Sequence, residues 1–189
     1  MAGHMRWVTL VRDCEALIIP NGMPFMVPAG TAVEITQAKG GAVTVSINGQ
    51  LARIDAKDAD ALGEEFAKLN SQELKQDLSQ TADGPVDLDQ VWQQLKTCYD
   101  PEIPVDIVEL GLIYDCRVVA NLEQQQNQVY ITMTLTAPGC GMGPVIVQDV
   151  ENAVRRVKNV TGVTVEIVFD PVWSRDMISE AAQLELGLF

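Results

Sequence analysis

The chain has 189 residues, is 47% hydrophobic, and sets 26 acidic against 13 basic residues for a formal net charge of -13. No segment gathers lysine or arginine into a stripe, so the concentrated basic face that nucleic-acid phosphates need is missing. The one histidine, His4, sits in Met-Ala-Gly-His-Met and reads as a remnant of an expression tag; setting it aside excludes a Ser-His-Asp triad, a Cys-His pair, an HExxH site and a 2-His-1-carboxylate iron site.

Along the chain, the first half is strand-rich. Residues 32–36, 43–47 and 51–54 are short β-prone runs, and Lys39-Gly40-Gly41 and Asn48-Gly49 supply the positive-φ positions of tight hairpin turns. A small barrel or meander is expected here. Leu62, Phe66 and Leu69 then mark the apolar seam of a helix begun near Asp58, which would close one side of the sheet. The stretch S-Q-E-L-K-Q-D-L-S-Q-T-A-D-G-P, from Ser71 to Pro85, is polar and poor in large apolar groups, as a linker would be. The expected organisation is therefore a strand-rich domain over 1–70, a linker over 71–85 and a second domain over 86–189.

That second domain reads helix, strand, strand, helix, strand, an α/β fold of two layers. Leu88, Val91, Trp92 and Leu95 mark the first helix; residues 107–119 and 129–136 form an antiparallel pair; Val163, Val165, Ile167 and Phe169 alternate as the last strand. A three-stranded sheet covered on one face by two helices can bury a core in a domain of this size. The charge is uneven: residues 1–83 carry 11 acids and 7 bases, net -4, while 84–189 carry 15 acids and 6 bases, net -9. Solubility accounts for most of that excess.

The four cysteines, Cys14, Cys98, Cys116 and Cys140, include no CxxC pair, so neither a zinc ribbon nor a thioredoxin-like motif can be read. No signal peptide and no bilayer-length apolar run is evident, which points to the cytoplasm, where thiols stay reduced, and to no membrane partner. Cys140 has an unusual setting. It lies in T-A-P-G-C-G-M-G-P, Thr136 to Pro144, between the strand pattern and a helical pattern of Ile146, Val147, Val150, Ala153, Val154 and Val157. Backbone N–H groups at a helix start favour a thiolate, and Gly139, Gly141 and Gly143 leave its approach open. The alternative is a small buried hydrophobe. Asp100 and Glu102, on the proline-stiffened loop D-P-E-I-P, are hard carboxylates that could complete an iron or zinc shell begun by the thiolate, although acidic loop residues are more often helix-end or turn partners. In D-P-V-W-S-R-D-M, Trp173 and Met177 either cover a pocket or pack the tail on the sheet.

Four separated motifs, in order, resemble those of one family. D-P-E-I-P-V-D-I-V-E-L-G-L-I-Y-D from Asp100, T-A-P-G-C-G-M from Thr136, D-P-V-W-S-R-D-M from Asp170 and the L-E-L-G tail are similar to the domain of iron-sulfur cluster assembly factors. The front half, with V-T-L-V-R-D-C-E-A, I-P-N-G, P-A-G-T and D-A-D-A-L-G, resembles the N-terminal region of the SufT type. The resemblance implies a non-enzymatic auxiliary factor of the SUF system, passing a labile iron-sulfur cluster or iron to client apo-proteins. It implies Cys140 as the cluster contact, Asp100, Glu102 and Glu109 as the acidic motif, and Thr136 and Gly139 as the turn. The turn offers Met142 in place of a second cysteine, and a thioether is a weak ligand, so a cluster bridged between two subunits of a homodimer is the expected form. A pure adaptor with a structural Cys140, or a thiol enzyme using Cys140 as nucleophile, are the two other readings.

Overall fold

The computed structural model describes residues 6–67, 82, 84–121 and 125–188. The chain divides into two compact units, Met1–Gln76 and Asp77–Phe189. No helix among the described residues is long and apolar enough to cross a membrane.

The first unit is one six-stranded antiparallel sheet. Its strands are β1 (Arg6–Thr9), β2 (Cys14–Ile18), β3 (Pro24–Val27), β4 (Ala32–Lys39), β5 (Ala42–Ile47) and β6 (Gln50–Ile54), in the spatial order β1-β4-β5-β6-β2-β3. The middle three strands form the expected meander. Asn48 and Gly49 both have positive φ in the two-residue turn that pairs Ile47 with Gln50. Val33, Val43, Val45, Ala52 and Ile54 are fully buried and form the centre of this unit's core. The expected helix from Asp58 is not continuous. A 3-10 segment covers Ala56–Leu62, Gly63 breaks it at φ +115, and residues 64–67 are helical; Leu69 lies outside the described residues. A backbone with that φ leaves the helical region, which only glycine does at low cost. Arg12 locks the 3-10 segment to the sheet by hydrogen-bonding Asp58 and Asp60. Those partners push its guanidinium further up and hold Asp60 below the usual carboxylate range.

The second unit is the α/β layer. Helix α1 (Leu88–Leu95) starts at Asp87, whose carboxylate accepts the N–H groups of Asp89 and Gln90. It is followed by β7 (Ile113–Asn121), β8 (Gln126–Met133), helix α2 (Gly143–Val154), β9 (Gly162–Ile167) and a short helix α3 (Glu180–Leu186). β7 pairs antiparallel with β8, and β8 pairs parallel with β9 through the α2 crossover. Val129, Ile131 and Met133 alternate into a core completed by Val91 and Leu95 of α1 and by Ile146, Val150 and Val154 of α2.

Two strand boundaries move. β7 begins at Ile113, whereas the apolar run suggested 107, and β8 ends at Met133, short of 136. The cause upstream is a turn. The Asp106 carboxylate accepts the N–H groups of Val108 and Glu109, both at 3.0 Å, and Gly111 sits at φ +70, so residues 106–112 fold back and cannot extend. Of the expected linker, residues 71–81 and 83 lie outside the described residues. Its last two residues are held: Asn127 donates to the Gly84 carbonyl at 2.8 Å and Asn159 to that of Pro85 at 3.0 Å.

Candidate functional site

The strand β8 delivers the cysteine turn. Beyond Met133, the Thr134 N–H donates to the Leu112 carbonyl at 2.9 Å and Leu135 stays buried; Thr136 is half-buried, and Ala137, Pro138 and Gly139 are exposed. Gly139 has φ +80, which turns the chain, and the Cys140 N–H then donates to the Ala137 carbonyl at 3.3 Å. The Cys140 carbonyl accepts the Gly143 N–H at 3.1 Å, so the cysteine is fastened to the first residue of α2. Gly143 is there for space. A Cβ at that position would lie 2.9 Å from Leu135 Cδ1, so the small residue lets the helix start close against the end of β8. Pro144 occupies the first turn of α2, where its missing N–H costs nothing. Cys140 is half-buried, at the junction of strand and helix, while Met142 is fully buried and anchors the turn in the core.

The other cysteines differ in burial or in their thiol pKa. Cys14 and Cys98 are buried, and burial pushes the Cys14 thiol up. Cys116 is half-buried within β7, its thiol pushed up to about 11 by burial.

The acidic motif is built largely by hydrogen bonds to its own backbone. Asp100 is 5% exposed, and one of its oxygens accepts the N–H groups of Glu102 and Ile103, each at 2.8 Å. Burial raises its pKa against the opposing pull of those two bonds. Asp100 thus holds the turn that follows it, and Glu102 is exposed. Glu109 is tied to the other end of the domain. Its carboxylate takes a hydrogen bond from Ser179 and the Lys96 ammonium at 2.9 Å, which together hold it below the usual range, and Lys96 is raised in turn.

Trp173, already singled out in the sequence, completes this arrangement together with Tyr114 and Ser179, which were not. The Trp173 indole N–H donates to the Leu110 carbonyl at 2.8 Å, the Tyr114 hydroxyl to the Pro171 carbonyl at 2.9 Å, and the Ser179 N–H to the Glu109 carbonyl at 2.9 Å. The tail therefore straps the 106–114 segment. Trp173 and Met177 pack the tail down, the second of their two expected roles. Ser179 caps α3 by accepting the Ala182 N–H, and Gly187 ends it in the left-handed region, a signal legible in S-E-A-A-Q-L-E-L-G. Among the described residues, no three His, Cys, Asp or Glu side chains form a group that could hold a metal ion. Cys140, Asp100 and Glu102 are accordingly not gathered into one shell.

Residues 88–167 match the model of a family described as "Iron-sulfur cluster assembly protein". A Porphyromonas gingivalis protein named Fe-S protein maturation auxiliary factor is 48% identical over 95 residues, 50% of this chain and 86% of the relative. The Bacillus subtilis auxiliary factor YitW is 40% identical over 94 residues, 50% of this chain and 87% of the relative. The Staphylococcus aureus auxiliary factor SufT is 37% identical over 89 residues, 47% of this chain and 96% of the relative. The matched domain contains α1, the acidic motif, the cysteine turn and the three-stranded sheet, and the chain belongs to the SufT-type family of Fe-S protein maturation auxiliary factors.

Proposed function

We propose that this protein passes iron-sulfur clusters or iron to client apo-proteins in the cytoplasm, working with the SUF assembly proteins, without a catalytic step of its own, and that Cys140 is the contact atom for the cargo. The observation that carries this reading is the position of Cys140: a half-buried thiol on a glycine-turned loop at the start of α2, inside the domain matched to the assembly family. A thiolate is the soft donor iron in a cluster requires. With one thiol and no converging side-chain shell among the described residues, the cargo would be held weakly. Client thiolates would then displace it by ligand exchange. Asp100 shapes the loop beside the first helix, Glu102 presents a carboxylate outward, and Thr136 and Gly139 set the turn that aims Cys140.

Anaerobic incubation with ferrous iron and sulfide, followed by iron counting and transfer to an apo-enzyme, tests it. Cys140→Ser replaces the soft donor by a harder one and is expected to drop both bound iron and transfer to background while the fold is kept. Glu102→Ala would fall between, since losing one supporting group costs metal sites about 10 to 100-fold in affinity. The adaptor reading draws on the same lack of a converging shell. It takes over if Cys140→Ser transfers clusters as well as wild type.

A further inference from the structure

Four strands form the edges of the two sheets, and three of them are poorly suited to accept another strand. β1 and β3 have four residues each, and β3 begins with Pro24. Short edges and prolines are devices by which natural sheets avoid strand addition. β9 has six residues and a lone charge, Glu166, with no base on the strand to answer it. β7 is neither short nor interrupted by proline, its one acidic and one basic residue can answer each other, and the register shift in its ladder with β8 lies at its start, between Ile113 and Asp115. It runs nine residues, I-Y-D-C-R-V-V-A-N, without proline or glycine, and pairs with β8 alone among the described strands. None of its residues is buried, and Val119 is 49% exposed. Among the described residues, no loop hydrogen-bonds the backbone of residues 113–120 from the outer side.

The charges on β7 select the partner. We infer that β7 is the interface of a homodimer, two copies pairing antiparallel along this edge about a two-fold axis through Cys116. In that register Asp115 of each copy stands opposite Arg117 of the other, both within the regular part of the strand. Opposite charges placed directly across an antiparallel pair attract, and like charges there repel. Moving the axis to Asp115 sets two carboxylates face to face, moving it to Arg117 sets two guanidiniums face to face, and the half-steps leave both charges facing uncharged residues. Only the axis through Cys116 answers both. Within one copy the Arg117 and Asp115 side chains already approach to 4.0 Å, so the joined edges bring four alternating charges together. The contact is isologous and closes on itself, producing a dimer and no filament.

This surface is separate from the cargo proposal. Ile113 pairs with Met133, so the cysteine turn of each copy lies beyond the start of its own β7, and the two starts fall on opposite sides of the axis. With strands about 4.8 Å apart and a rise of about 3.4 Å per residue, the two Met133 positions are about 25 Å apart. Each copy would carry its own cargo, in place of the bridged cluster that the sequence suggested.

Sedimentation equilibrium of the full chain, over a wide concentration range, tests the inference by charge exchange. Wild type is expected to approach twice the 20.6 kDa chain mass. Asp115→Arg alone and Arg117→Asp alone each place like charges opposite and are expected to sediment as monomers, with circular dichroism unchanged. Mixing the two single variants restores opposite pairs across the edge and the dimer returns, as it does in the double variant Asp115→Arg/Arg117→Asp. A wild type that stays monomeric at every concentration, single variants that dimerise as well as wild type, or a mixture that fails to recover overturns the β7 interface. Cys140→Ser is expected to dimerise like wild type, and chelating iron is expected to leave the wild-type dimer intact; a wild-type dimer that falls apart on iron chelation and is missing in Cys140→Ser would assign association to a bridged cluster instead and sink the β7 reading, whatever the transfer assay reports.

Discussion

Replacing Gly111 by alanine tests how the tail is seated. The residue has φ +70, and a Cβ built on it would meet the carbonyl oxygen of Met177 and lie 2.9 Å from that residue's carbonyl carbon and Cβ. The left-handed conformation alone costs an alanine about 1 kcal/mol. The obstacle at Met177 is backbone, which cannot swing aside as a flexible side chain can, so the tail must shift. A shift places two hydrogen bonds at risk, Trp173 to Leu110 and Tyr114 to Pro171. At about 1 kcal/mol each, the total loss comes to about 3 kcal/mol. Gly139→Ala provides the comparison, because Gly139 has a similar φ of +80 and nothing within 4 Å of its Cβ position, so only the conformational cost of about 1 kcal/mol applies. Urea unfolding followed by circular dichroism gives both numbers, and Trp173 fluorescence reports the tail. If Gly111→Ala loses no more stability than Gly139→Ala, the tail is not seated on the glycine and the packing argument fails.

Timed alkylation with mass-spectrometric mapping is expected to modify Cys140 first, Cys116 next, and Cys14 and Cys98 last, since the last two are buried and the Cys116 thiol is pushed up to about 11; early modification of Cys14 or Cys98 in the native protein contradicts this order. The carboxylates Glu109 and Asp100 are expected to pull stability in opposite directions with pH. Glu109 is depressed in the fold, so its contribution is complete above its unfolded pKa of about 4.3 and fades as pH falls through the folded value; Glu109→Gln should remove that acid-side loss. Asp100 is raised, so the folded state holds its proton longer and stability drops as pH climbs from its unfolded pKa of about 3.9 to the folded value; Asp100→Asn should erase that drop, and a pH profile of urea midpoints in which neither slope changes refutes both assignments. Residues 86–189 alone are expected to give a cooperatively folded α/β spectrum, and an unfolded spectrum would show that the two parts of the chain depend on each other.

The parts of this fold that were legible from sequence are those decided locally. The alternation of Val129, Ile131 and Met133 with polar neighbours matched a strand because one face packs on helices. The glycine-flanked Cys140 turn was legible because the period of the pattern changes across it. Residues 107–112 were misread because I-V-E-L-G-L is as apolar as a strand; what bends them is the Asp106 side chain, and what buries Leu110 and Leu112 in a turn is partly the tail arriving from sixty residues away. The edge strands β1 and β3 escaped notice for a different reason. Four residues are too few for a period to register. Within the site, the residue types were readable but their engagement was not: whether Asp100 faces a ligand or its own backbone depends on loop geometry that composition does not encode.

The tail strap also sets an order of events during synthesis. The contacts of Trp173 with Leu110 and of Tyr114 with Pro171 join positions 63 and 57 residues apart, among the most distant side-chain links in this unit. A chain still emerging from the ribosome can form the first sheet, and then α1, from neighbouring residues, while the segment bearing Glu109 waits for the downstream residues that strap it. Contacts between remote positions form slowly because the loop between them must close first. The segment bearing Glu109 is therefore among the later features to settle, and a nascent chain stalled before Trp173 would lack the hydrogen bond to Leu110 that the tail supplies.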